Sequence, residues 1–88
     1  MKPEEYSSAL EAVVADMRRN GIRAECRGVG LARVVYAERG LRAVEISGLW
    51  PGASLEVYEN GTDLCAPDPF ETLEAAAAEA IAWLTEKG

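Results

Sequence analysis

Arginine is the residue with which this chain is best equipped to do chemistry. All seven arginines fall between Arg18 and Arg42, where only Glu25 and Glu38 oppose them, a local balance of +5. Lys2 against Glu4, Glu5, Glu11 and Asp16 leaves residues 1–17 at −3, and Lys87 against nine acids leaves residues 43–88 at −8. A cationic middle is thus held between two anionic ends in a chain of net charge −6. A guanidinium binds carboxylates and phosphates through a planar fork of donors. In an extended segment Arg23 and Arg27 project to the same side, and Arg33 can join them from the next strand of a hairpin. Such a row can hold an acidic partner, or the acidic helices of a second copy.

Other chemistries find little support. There is no histidine, which removes Ser-His and Cys-His pairs. The fifteen acids are mostly helix-surface or turn residues. None stands at a strand end or glycine elbow that would single it out for acid–base work. Cys26 and Cys65 lie far apart without metal-ligand spacing and read as two ordinary thiols. Gly28-Val29-Gly30 is too short for a nucleotide fingerprint and precedes a strand, and no GK[ST] phosphate loop occurs. No catalytic residue, metal or cofactor is therefore expected, and the chain reads as a non-enzyme.

The elements that must position the arginines follow from pattern. Residues 3–20 read as a helix, with Pro3 at its first position, Glu4 and Glu5 at the positive end of its dipole, Arg18 and Arg19 at the negative end, and Gly21 as a left-handed stop. Tyr6, Leu10, Val13 and Met17 form its apolar stripe, flanked by Ala9 and Val14. Two glycine-ended connections, Gly28-Val29-Gly30 and Glu38-Arg39-Gly40, then join strands 22–27, 31–37 and 41–47. In that register Arg27 faces Leu31 and Ala37 faces Leu41. One face collects Ile22, Ala24, Cys26, Ala32, Val34, Tyr36, Val44 and Ile46. Arg42 sits at its end with an apolar stem and a wet head. The opposite, open face collects Arg23, Glu25, Arg27, Arg33, Val35, Ala43 and Glu45, and aligns Glu25, Arg33 and Glu45 across three strands.

Gly48 to Gly52 read as a loop carrying Trp50. Strands 54–59 and 62–66 flank Asn60-Gly61, the strongest short turn signal in the chain. Asp68-Pro69-Phe70-Glu71 opens a final helix with the core stripe Phe70, Leu73, Ala77, Ala80, Ile81 and Leu84. The order α-β-β-β-β-β-α makes residues 1–88 a single α+β domain. Its expected architecture is a two-layer sandwich: roughly four or five antiparallel strands with both helices on one face.

Helix, three strands, helix is also the order of the double-stranded RNA-binding domain, which grips phosphates with lysines at the start of its second helix. Here that segment is Glu71-Thr72-Leu73-Glu74, which repels a phosphate backbone. No aromatic joins the arginines to stack on bases, so no nucleic-acid partner is expected. Small acidic secretion chaperones of bacterial type III systems resemble this chain in size class, acidity and order. They carry a middle helix for which Gly48–Ala53 leaves no room.

No apolar run approaches a membrane span, and the acidic N-terminus lacks a signal-peptide pattern, so a cytoplasmic protein with no membrane partner is expected. Seven arginines to two lysines, with abundant alanine, hint at a bacterial source. The leading expectation is a small acidic protein-interaction module, self-associating as a homodimer. Arg23, Arg27, Arg33, Val35, Trp50 and Trp83 are its candidate partner-binding residues. The alternative is a small-ligand or enzymatic domain whose pocket lies between sheet and helices near Tyr36, with Arg42 binding an anion.

Overall fold

The computed structural model describes residues 3–47, 53–63 and 68–86. Helix α1 (Pro3–Arg19) ends where Gly21 takes φ 75. There the Ile22 N–H donates to Met17 O at 3.1 Å and the Gly21 N–H to Arg18 O at 3.1 Å. This paired closure satisfies two orphan carbonyls and turns the chain back as β1 (Arg23–Arg27). A short 3₁₀ turn, Gly30–Ala32, leads to β2 (Val34–Arg39), followed by β3 (Arg42–Ser47) and β4 (Ala53–Glu59). Two short strands complete the sheet: β5 (Thr62–Asp63) and β6 (Asp68–Phe70). Helix α2 spans Leu73–Thr85.

The sheet is antiparallel, in the order β1-β2-β3-β4-β5. β5 pairs Tyr58 and Glu59, and β6 pairs Ala53 to Leu55, so the two lie at opposite ends of β4 and form one interrupted edge. Both helices cover the same face: α1 lies over β1 and β2, and α2 over β3 and β4. The expected two-layer α+β sandwich is the fold observed. Its core joins Tyr6, Leu10, Val13 and Met17 of α1 to Val35, Ala37, Val44, Ile46 and Leu55 of the sheet and Ala77, Ala80 and Leu84 of α2. Each fully buried Leu, Val, Ile or Met contributes about 1.5–3 kcal/mol.

The register of β2 corrects the reading from sequence. Val35 and Ala37 are fully buried, and Val34 and Tyr36 face the open side. The connection from β1 occupies residues 28–33, because Arg27 pairs Val34 and residues 30–32 wind into the 3₁₀ turn. The β2–β3 connection is the two-residue Gly40-Leu41, closing the pair Arg39↔Arg42. Gly40 alone of the two has positive φ (63), the pattern of a II′ turn. Both changes shift the pairing of β2 by three residues, and an odd shift exchanges its two faces. Ala32 is exposed in the turn, not on the core face.

Helix α2 also starts later than expected. Asp68-Pro69-Phe70 is strand, and Thr72 caps the helix by accepting from the Ala75 N–H at 3.1 Å. Phe70 still packs against the core, from β6. At Asn60-Gly61 the expectation holds: both residues have positive φ (53 and 79), as a type I′ turn requires. Strand 62–66 is seen only as Thr62–Asp63, since residues 64–67, including Cys65, lie outside the described residues.

Candidate functional site

With both helices on one face, no described element covers the other face of the sheet, and its pairing arranges the side chains in three rows. The middle row reads Glu25, Tyr36, Glu45, Glu56 across β1 to β4. The row toward the Gly40-Leu41 turn reads Arg23, Glu38, Ala43, Tyr58. The third reads Arg27, Val34, Ser47, Ser54, with the two serine hydroxyls 2.8 Å apart. Positive charge is thus confined to the β1 edge, while β2, β3 and β4 present Glu38, Glu45 and Glu56.

The charges at the β1 edge answer one another locally. Arg27 lies 3.9 Å over the Tyr36 ring, and its Nη2 is 2.7 Å from Glu25 Oε1. The Glu25 hydrogen bond raises the Arg27 guanidinium above its usual range. Arg23 is 3.8 Å from Glu38 with its side chain almost fully exposed. The centre of the face is different: Glu45 stands directly opposite Glu56. Among the described residues neither carboxylate has a cation within ion-pair distance. Like charges directly opposite cost about 0.2–1 kcal/mol. Glu56 accepts from the Tyr58 hydroxyl at 2.6 Å, which eases part of that cost. Beside the pair, Tyr36 and Tyr58 flank Ala43 in a depression of ≈ 390 Å³ whose rim includes Glu38, Glu45, Arg42 and the exposed Leu41.

The other arginines serve the fold. Arg18 donates from Nε and Nη2 to Ala24 O, at 3.1 and 2.9 Å. Arg39 donates to Leu84 O at 3.2 Å and Arg42 to Trp83 O at 2.9 Å. Helix α2 has no basic residue in its last turn, so the sheet supplies the positive charge that its C-terminal carbonyls attract. Arg42 also approaches Glu59 (3.5 Å) and Glu86 (3.8 Å) and stacks 4.8 Å from the Trp83 ring.

Of the residues singled out from sequence, Arg23 and Arg27 lie on the open face. Arg33 does not: it follows the 3₁₀ turn beneath α1, donating to Ser7 Oγ at 3.1 Å, 3.9 Å from Glu11. The expected line of Glu25, Arg33 and Glu45 therefore contains Tyr36 where Arg33 was placed. Val35 is core, not open face. Trp83 is half-buried against the core, and Trp50 lies outside the described residues. Tyr36 and Arg42 were expected to share a pocket between sheet and helices. Both line one depression, but on the open face rather than between sheet and helices, and the Arg42 guanidinium donates to Trp83 O at the end of α2. The Glu45–Glu56 opposition was missed, because the sequence between β3 and β4 carries no turn signal that defines their register.

Cys26 is half-buried, and burial raises its thiol pKa, with Arg33 and Arg18 opposing and Glu11 adding to the rise. The shift favours the protonated thiol over the thiolate. Among the described residues no group of three acids or cysteines is gathered as a metal cage requires, and no helix is long and apolar enough to cross a membrane. A scan of family models and searches of curated proteins and of solved structures each returned no match to this chain.

Proposed function

We propose that this chain is a small, cytoplasmic, non-enzymatic protein-interaction module. Its open sheet face receives a basic segment of a protein partner, and the module associates with itself. The observation that carries the reading is the Glu45–Glu56 opposition on an uncovered face, framed by Tyr36 and Tyr58. Two carboxylates held side by side cost the isolated fold energy that a lysine or arginine between them returns. The tyrosines offer flat apolar area with polar tips, the combination that anchors interfaces. That Arg18, Arg39 and Arg42 donate to backbone carbonyls favours this reading over an anion site on the helix side.

A short lysine- and arginine-rich peptide is the probe. In a titration followed by amide NMR, shifts are expected at Tyr36, Ala43, Glu45, Glu56 and Tyr58. Glu45→Lys together with Glu56→Lys should weaken binding by about tenfold or more, as should high salt. Shifts concentrated instead on Glu74 and Glu79 of α2, unchanged by the double substitution, would sink the reading.

A further inference from the structure

Strand β1 ends the sheet, and among the described residues no strand lies on its outer side. Which of its backbone groups point outward follows from the Gly40-Leu41 turn. The pair closing a two-residue hairpin is hydrogen-bonded, so Arg39, Ala37 and Val35 direct their backbone groups to β3. Glu38, Tyr36 and Val34 then bond Arg23, Glu25 and Arg27, which leaves Ala24 and Cys26 with N–H and C=O directed away from the sheet. The Arg18 guanidinium occupies Ala24 O, as expected if that carbonyl points outward. No described group bonds the outward N–H and C=O of Cys26.

We infer that the β1 edge pairs with β1 of a second copy, antiparallel, about a two-fold axis at Cys26. Three symmetric registers are open to a strand reading Arg-Ala-Glu-Cys-Arg. Centred on Glu25, it opposes Glu25 to itself and Arg23 to Arg27, setting like charges together. Centred on Ala24, it needs the carbonyl that Arg18 holds. Centred on Cys26, it uses free backbone groups and sets Glu25 of each copy against Arg27 of the other. Charge complementarity removes the Glu25 centre, and the uncapped backbone groups of Cys26 then choose its register over the Ala24 centre, which also opposes Arg23 to Glu25. The axis also brings together the depression of ≈ 370 Å³ beside Cys26 in each copy, where Val14 and the exposed Ala15 of α1 supply apolar lining. The two sheets become one, with an acidic open face in each half. This inference deepens the self-association in the reading above but uses a different surface.

Sedimentation equilibrium and amide exchange test it on the intact chain. Twice the 9.5 kDa mass is expected at about 100 µM, and monomer at that concentration overturns the pairing. Glu25→Arg and Arg27→Glu should each weaken the dimer about tenfold, and the two together should restore it. Arg27→Glu that tightens the dimer selects the Glu25-centred register, and no effect selects the Ala24-centred one; either overturns the Cys26 axis. Both side chains are about half exposed, so the exchanges spare the core. Slow, concentration-dependent exchange of the Cys26 amide is expected in the unaltered chain, and fast exchange at all concentrations overturns the proposal without any variant. A monomer that still binds the basic peptide at Glu45 and Glu56 removes the strand pairing alone. A dimer that ignores the peptide removes the acidic-face reading alone.

Discussion

The two connections that flank β2 set its register in different ways. Gly40-Leu41 is self-sufficient: two residues and one positive φ define the turn and thereby the pairing on both sides. The connection through residues 28–33 is not. It holds two glycines with positive φ (90 and 57) and a 3₁₀ turn, and it is tied to α1 at its far end. There Tyr6 donates from its hydroxyl to Arg33 O at 2.7 Å, and Arg33 donates to Ser7. A tight turn carries its register in local backbone geometry. A longer one borrows it from a tertiary contact that no local pattern announces.

The largest effect separates the two faces of β2. Val35→Asp places a carboxylate where the side chain is fully buried. It should cost about 4 kcal/mol or more, enough to unfold a small domain. Val34→Asp lies on the open face directly opposite Arg27 and should change stability by less than about 0.5 kcal/mol. Urea melts of the two variants measure the contrast. Equal losses would mean that β2 occupies the other register.

Next come the glycines of the two connections. A Cβ on Gly28 would sit 2.8 Å from Ala32 O, at φ 90, so both the backbone and the neighbour resist it. A Cβ on Gly40 meets nothing within 4 Å, and only its φ of 63 is strained. Gly28→Ala should therefore cost about 3 kcal/mol and Gly40→Ala about 1–2 kcal/mol. Thermal melts that rank the pair the other way round would remove the close approach at Ala32 as the reason for Gly28.

The same contrast explains what could be read in advance. The stripe Tyr6, Leu10, Val13, Met17 is buried as its helical spacing implied, and Asn60-Gly61 forms the turn its residues favour. Strand β3 was legible because Val44 and Ile46 alternate with Glu45 and only one parity buries the apolar pair. In β2, Val34, Val35 and Tyr36 are consecutive, so hydrophobic alternation cannot choose a face, and the choice passed to the two connections. The site suffered from the same ambiguity. A slip of three residues, odd and therefore face-exchanging, put Tyr36 in place of Val35 on the open face and moved Arg33 beneath α1. A surface expected to be rich in arginine is acidic at its centre, with Arg23 and Arg27 at its rim.

The smallest effect isolates the tie between α1 and the longer connection. Tyr6 is almost fully buried, and its hydroxyl bonds the Arg33 carbonyl across 27 residues of sequence. Tyr6→Phe keeps the ring and its packing but removes the donor, so the cost should be about 1 kcal/mol, the net worth of one such bond. Its place matters more than its size. If Tyr6 holds the end of the connection, the Ala32 N–H to Val29 O and Arg33 N–H to Gly30 O bonds should open more often in the variant. Amide exchange at Ala32 and Arg33 should then quicken about fivefold, with exchange at Arg42, beyond the self-sufficient turn, unchanged. Uniform acceleration at both ends of β2 would mean that the Tyr6 hydroxyl supports the whole domain rather than the register of one strand.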